Sequence, residues 1–522
     1  MQKLYGMAIL AGLTVTAALA QNSTAAMTDR AAARFLDQAT WGPTPASIAQ
    51  LQQMGIDNWL QAQFALNTSD LPDQPILNSS GKQNNDLTPV QAAFFQNAVG
   101  GADQLRQRVA FALSEIWVVS QVSGVTNAYA YPPYWRVFRD NAFGNYRDII
   151  KAVTLNPAMG RYLNMANNNK GSAVRGTAAN ENYARELMQL FTLGLNQLNS
   201  DGTPVLDGNG NPVPTYDQSA VTNLAKALTG WTYPTAPKAK AAVNNPAYYI
   251  GQMFAVEAEH DESEKTIFGA VILPAGQTAE QDLDAVLDAL MKQPTMAPFI
   301  SQQLIQHLVT SNPSPAYIQR VSNAFRDNGN GVTGDMQAVI KAILEDPEAR
   351  AADDPNASPD PNFGHLREPV LFLANILRGL NATLGDQSRI YSYASSMQQN
   401  LFNAPSVFSY FAPDYRTEKG LLGPEFQIYS TQTSATRANI VYSALYGSLD
   451  KSTKIDLSPF VQHAAASSDL LDYISYVFLH HSMSSDLQQA VTEALTGATT
   501  PQARVQAALY VVLTSGEYQV IQ

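Results

Sequence analysis

Along most of this chain the apolar residues recur three or four positions apart, and that helical period constrains the fold more than any other feature. Residues 105–119 carry Val109, Ala112, Leu113 and Ile116 on one helical face. Residues 30–64 read as two short helices around a turn at Trp41-Gly42-Pro43, with Pro45 opening the second. Residues 182–193 predict a further helix, with Gly194 placed to cap its C-terminal end. Residues 279–307 read as two helices broken at Pro294, and the last stretch of the chain is helical again.

Two stretches depart from the period. Residues 199–216 hold Asp-Gly and Asn-Gly pairs and three prolines, which predicts a hairpin-like loop. Residues 248–273 alternate more like strands, with a turn expected near residues 260–264. The expected fold class is therefore mainly α: a large helical body of stacked or duplicated units, with a minor β-hairpin or strand insertion around residues 199–273. The Pro-, Asp- and Asn-rich loop 351–364 is the expected hinge between an N-terminal region, 21–350, and a C-terminal region, 365–522.

An internal recurrence supports duplication. Phe138-Arg139-Asp140-Asn141, then Ile150-Lys151-Ala152-Val153 and Pro157, is echoed by Phe325-Arg326-Asp327-Asn328, then Ile340-Lys341-Ala342-Ile343 and Pro347. Upstream, Trp117-Val118-Val119-Ser120 aligns with His307-Leu308-Val309-Thr310, and a weaker third copy runs from Tyr473 through His481 to Glu517.

The first twenty residues predict export. Lys3 precedes an apolar run from Met7 to Leu19, and Ala18-Leu19-Ala20 offers the small-x-small pattern that signal peptidase cuts. The run is too short to span a bilayer comfortably, and no later segment reaches eighteen consecutive apolar residues, so residues 1–20 are expected to be a cleavable signal and the mature chain to have no membrane span. With no cysteine, an exported chain must rest on its core, which 522 residues are long enough to build. The net charge is −12, and removing Lys3 with the signal leaves −13. Such a negative field argues against nucleic acid and against anionic membrane surfaces.

The chemistry concentrates in few places. On a helix, Asn182, Arg185, Glu186 and Gln189 share one side, and Glu181 lies one turn before Arg185. Glu186 suits general acid–base work if burial raises its pKa, and Arg185 suits an anion clamp. The alternative is structural: a Glu181–Arg185 pair within one helix, or ion pairs tying neighbouring helices. His260, Asp261 and Lys265 fall in a turn, where His260 can relay protons. Glu181, Arg185, Glu186 and His260 are thus the candidate catalytic residues, and Asn182, Gln189, Asp261 and Lys265 the candidate binding residues.

No spaced His or Cys set accompanies His260, so no metal and no cofactor is expected; His307 and His365 read as satisfied helix or turn histidines. Asp207-x-Asn209-x-Asn211 and residues 327–335 begin like calcium loops but break the pattern and read as turns. Nucleophile elbows, P-loops and dinucleotide fingerprints are absent.

Several segments resemble one family. Residues 34–43, RFLDQATWGP, look like its N-terminal signature, and residues 181–194, ENYARELMQLFTLG, resemble its most recognisable motif. Ala227-Leu228-Thr229-Gly230-Trp231, the segment from His260-Asp261 to Lys265, and residues 402–408, FNAPSVF, also fit. Trp231 joins the candidate binding residues from this match. The family is the exported bacterial group known as domain of unknown function 1800. The resemblance implies no established activity. It implies an extracytoplasmic task shared with a second exported group, domain of unknown function 1501, whose members look like alkaline-phosphatase and sulfatase folds. Two readings follow: a binding or assembly protein working outside the cytoplasm with another exported protein, or an enzyme acting on extracellular carbohydrate or another polymer through Glu181 or Glu186 with Arg185.

Overall fold

The computed structural model describes residues 27–172, 174–354, 356, 360–480 and 483–522. The expected signal segment, residues 1–20, lies outside the described residues, as do Pro355 and residues 357–359 of the expected hinge.

The helices used below are α1 (Asp29–Ala39), α2 (Gln104–Ile116), α3 (Tyr131–Asn141), α4 (Tyr146–Thr154), α5 (Asn182–Gln189), α6 (Gln218–Ala227) and α7 (Ala279–Met291). They continue with α8 (Met296–Leu308), α9 (Pro315–Arg326), α10 (Met336–Leu344), α11 (Pro369–Gly379), α12 (Thr431–Tyr446), α13 (Ser485–Thr496) and α14 (Pro501–Thr514). The strands are β1 (Trp231–Thr232), β2 (Phe254–Ala255), β3 (Lys265–Ile267), β4 (Val271–Leu273), β5 (His365–Leu366), β6 (Thr383–Leu384), β7 (Thr453–Lys454) and β8 (Val520–Ile521). They pair only in twos, β1 with β2, β3 with β4, β5 with β8 and β6 with β7. The protein is mainly α, as its periodicity predicts.

Local chemistry sets the helix starts. Thr28 accepts the Ala31 N–H at the start of α1, and Ser314 accepts the Tyr317 N–H ahead of Pro315 at the start of α9. Three boundaries differ from expectation. The segment after Trp41 splits into Pro45–Met54 and Ile56–Ala65, because Gly55 takes a left-handed φ of 73° between them. Helix α5 stops at Gln189, and Gly194, at φ 74°, closes the turns that follow by donating to the Met188 carbonyl. The strand-like stretch does not fold back at residues 260–264: Lys265–Ile267 pairs forward with Val271–Leu273, while Phe254–Ala255 pairs with Trp231–Thr232.

The two stretches of the recurrence share an order of packing. Helices α2, α3 and α4 pack in succession, as do α8, α9 and α10. Asn145 and Asp335 occupy equivalent N-caps, at the starts of α4 and α10. There the copies meet reciprocally: the Tyr146 N–H donates to the Gly334 carbonyl at 2.8 Å, and the Met336 N–H to the Gly144 carbonyl at 2.9 Å. The third copy keeps one detail of the second. Ser314 donates to Glu348, and Ser484, the N-cap of α13, donates to Glu517. His481 of that copy lies outside the described residues.

One contiguous hydrophobic core runs from Ala32 to Ile521 and includes residues from both sides of loop 351–364. The C-terminus closes it: β8 pairs with β5, and Gly364 lies so close that a Cβ there would sit 2.0 Å from the Ile521 carbonyl oxygen. Only glycine permits that approach. It fixes the entry of the chain into β5 and so places His365.

Candidate functional site

The residues singled out in the sequence fall into separate places. Glu181, the N-cap of α5, and Arg185 one turn on form a half-exposed ion pair at 3.0 Å. The Glu181 carboxylate also accepts from Thr222 and Gln218 of α6, each at 2.8 Å. These bonds, the Thr222 hydroxyl first among them, hold its pKa below the ordinary carboxylate value. They also tie α5 to α6. Asn182 donates to Asn164 at 3.3 Å, and Gln189 accepts from Tyr216 at 3.3 Å. Glu186 stands apart. It is partly buried, burial raises its pKa, and its Oε2 has no hydrogen-bond partner.

His260 is sealed in the interior. Its Nε2 lies 3.1 Å from Asp282 of α7 and its Nδ1 3.0 Å from the Thr229 carbonyl. The Lys265 ammonium donates to the same Asp282 oxygen at 2.7 Å, and all three side chains are inaccessible to solvent. Asp261 folds onto its own turn, accepting from the Ser263 N–H. Trp231 is a core residue, 2% exposed, and offers no ring face to solvent. His260 therefore does not join Glu181, Arg185 and Glu186; it pins the strand insertion to α7.

A different constellation sits in the core, where α2, α8 and the chain around β5 meet. Arg108 and Glu115 lie seven residues apart on α2 and point the same way. His307, near the end of α8, brings its Nδ1 within 3.4 Å of Glu115 Oε2. His365 in β5 and Glu368, the N-cap of α11, precede that helix, and Glu425 lies 3.2 Å from the His365 Nδ1. The Gln399 amide donates to both Glu115 and Glu368. Apart from His307, whose side chain is 19% exposed, the charged members are buried.

This centre is poorly satisfied. Glu115 Oε2, Glu425 Oε2, His365 Nε2 and Arg108 Nε and Nη1 have no hydrogen-bond partner and no contact with solvent. Each such buried group costs about 1–3 kcal/mol. Burial pushes the carboxyl groups of Glu115 and Glu368 up to about 8, although Arg108 opposes the shift in both. In Glu368 the nearby Glu115 adds to it. Burial also lowers the pKa of His307. A cavity of about 30 Å³, lined by Glu115, Tyr410 and aromatic side chains, adjoins the centre and has room for a water molecule or two.

The expectation that His365 is a satisfied histidine is corrected here, since its Nδ1 faces Glu425 but its Nε2 has nothing to bond to; His307 is a helix histidine facing Glu115. The available sequence signal was a pair of charges, Arg108 and Glu115, on one side of a helix whose every turn is buried. That signal points to no partner, because His307, Glu368, Gln399 and Glu425 arrive from distant segments.

The chain belongs to the family described as protein of unknown function (DUF1800), whose model matches residues 34–520. No curated protein and no solved structure matches it.

Proposed function

We propose that this chain is an exported binding or assembly protein that works outside the cytoplasm with a second exported protein, of the kind grouped as domain of unknown function 1501. One observation carries the reading. Tyr442 and Tyr446 lie one turn apart on α12, 56% and 44% exposed, with their rings stacked at 4.8 Å and Tyr510 edge-on beside them. A rigid aromatic pair held out in solvent is the kind of anchor that buries well against another protein at little entropic cost. The motif on α5 is consistent with this reading, since Glu181 is engaged in joining two helices.

The test is co-expression of the mature chain with a domain of unknown function 1501 protein from the same cell, followed by size-exclusion chromatography. Co-elution that is lost in a Tyr442→Ser, Tyr446→Ser double variant is the expected result. Separate elution of the unaltered proteins would overturn the reading.

A second reading, an enzyme acting on extracellular carbohydrate, draws on Glu186 alone, whose partly buried carboxyl has a raised pKa and an unpartnered oxygen. Hydrolysis of an extracellular polysaccharide, abolished by Glu186→Gln, would favour it; equal activity in the variant would remove it.

A further inference from the structure

We propose that the pocket between the start of α1 and the π-helical turn Ser475–Leu479, with His480 at its floor, binds a neutral sugar unit through hydrogen bonds from the sugar hydroxyls to carboxylates and to the imidazole. The pocket shares no residue with the tyrosine pair of α12 or with the α5 motif.

The backbone here is unusual. Residues 475–479 form one π-helical turn, and His480 ends it in the left-handed region, at φ 60° and ψ 13°. Glycine ends a helix in this way without strain; a histidine does not. π-Turns and strained residues gather where a side chain is being aimed for a task. The His480 N–H donates to the Ser475 carbonyl at 2.8 Å and fixes the turn. The ring is thereby set against α1, 6% exposed, with its Nε2 3.6 Å from Asp37 Oδ2.

Asp37 orients the ring. Burial opposes ionisation of its carboxyl, but the two-pronged Arg367 outweighs burial, so an anion faces Nε2 and assigns the proton to that nitrogen. Arg367 already balances the charge, so the imidazole serves there as a neutral donor. Nδ1 then presents a lone pair. The Tyr476 carbonyl, 3.4 Å away, is itself an acceptor and has no proton to give. Among the described residues no donor reaches Nδ1, and a largely buried acceptor in that position calls for a donor from outside.

The pocket over the ring has a volume of about 340 Å³ and is lined by Asp29 and Arg30 of α1, by Asp472 and Ser475, and by Tyr476. Small ligands fill pockets of about 300–1,000 Å³. The lining selects hydroxyl groups. Asp29 and Asp472 accept, while Ser475 and Tyr476 both donate and accept. Burial, with Asp29 nearby, raises the Tyr476 pKa, so the phenol keeps its proton. Arg30 spends its Nε on the Ala352 carbonyl at 2.7 Å, and the two carboxylates beside it repel an anion. Tyr476 is half-buried and brings an aromatic ring on which the C–H face of a sugar packs. A phosphate or an acidic sugar is therefore disfavoured, and a neutral sugar meets every group.

The experiment titrates the mature protein with maltose, cellobiose and N,N′-diacetylchitobiose in turn, read by calorimetry and by saturation-transfer NMR. Saturable binding of at least one of them, with a dissociation constant below about 1 mM, is the expected result. Tyr476→Ala and Asp472→Asn, at partly exposed positions, should each weaken that binding about tenfold or more with an unchanged circular-dichroism spectrum. His480→Asn, which keeps a residue tolerant of the left-handed region, should do the same. Asp73→Asn, at a surface pair with Arg136, should bind as the unaltered chain does. No saturable binding of any of the three sugars up to about 20 mM would overturn the proposal. So would undiminished affinity in folded Tyr476→Ala. Should His480→Asn fail to fold, the two variants at partly exposed positions decide.

Discussion

Asp37 and Glu115 are both buried carboxylates on helices of one core, and their surroundings differ sharply. Asp37 receives a two-pronged contact from Arg367, at 2.9 and 2.7 Å, and a third hydrogen bond from Asn375 at 2.9 Å. Tyr518 in turn donates to Asn375, and Arg367 donates to the Tyr518 carbonyl. Although burial opposes ionisation, Arg367 and His480 hold the Asp37 pKa far below the ordinary carboxylate range. This network locks α1 to the start of α11 and to the C-terminus. Glu115 lies against Glu368 and His307, with an oxygen that nothing bonds, and its pKa goes up. The two buried carboxylates thus differ in their bonding: Asp37 is engaged on both oxygens, whereas Glu115 keeps one oxygen without a partner.

The largest expected effect breaks the satisfied network. Asp37→Ala leaves Arg367 buried without its partner and should destabilise the protein by about 3–5 kcal/mol, read from urea unfolding. A loss below about 1 kcal/mol would erase the contrast.

At the other centre the sign reverses. Glu368→Gln removes a buried like charge, so at pH 8 the variant should match or exceed the unaltered stability, by up to about 1 kcal/mol. A large loss would place Glu368 with the structural charges.

The pH profile sharpens the contrast. Glu115 and Glu368 titrate at about 8 in the fold, against about 4.3 for an unperturbed glutamate. Between those values the folded state holds more protons than the unfolded state, so these groups make stability fall as pH rises, and the fall ends near 8. Asp37 acts oppositely. Its depressed pKa gives stability that is present above about pH 4 and lost on acidification below it. Melting temperatures from pH 5 to 9 should decline, and the decline should flatten in a Glu115→Gln, Glu368→Gln double variant.

The smallest effects belong to α5. Glu181→Gln weakens a half-exposed pair and should cost less than about 1 kcal/mol. Glu186→Gln should cost nothing or stabilise slightly, since its carboxyl is already hard to ionise. A loss above about 2 kcal/mol in both would make the motif a buried structural network.

Much of the scaffold was legible because helical period, caps and prolines are local. The break at Pro294 falls between α7 and α8, and the recurrence around residues 138–157 and 325–347 marks two units that meet at Asn145 and Asp335. The strand insertion was located, but its pairing was not, because two- and three-residue strands carry too little alternation to fix a partner. The candidate residues of α5 were found as a stripe, since a stripe is a property of one helix. That Glu181 faces α6, and that His260 is spent on Asp282, depends on neighbours a stripe does not name.

The sequence by itself determined a mainly helical, internally repeated, cysteine-free chain of this family, because composition and period are read one segment at a time. Tertiary structure alone decided which charges are sealed and which are satisfied. Glu115, His307, Glu368 and Glu425 are separated by up to 310 positions along the chain. Only packing brings them within reach of one another, and only the low dielectric of that packed interior makes their missing partners costly.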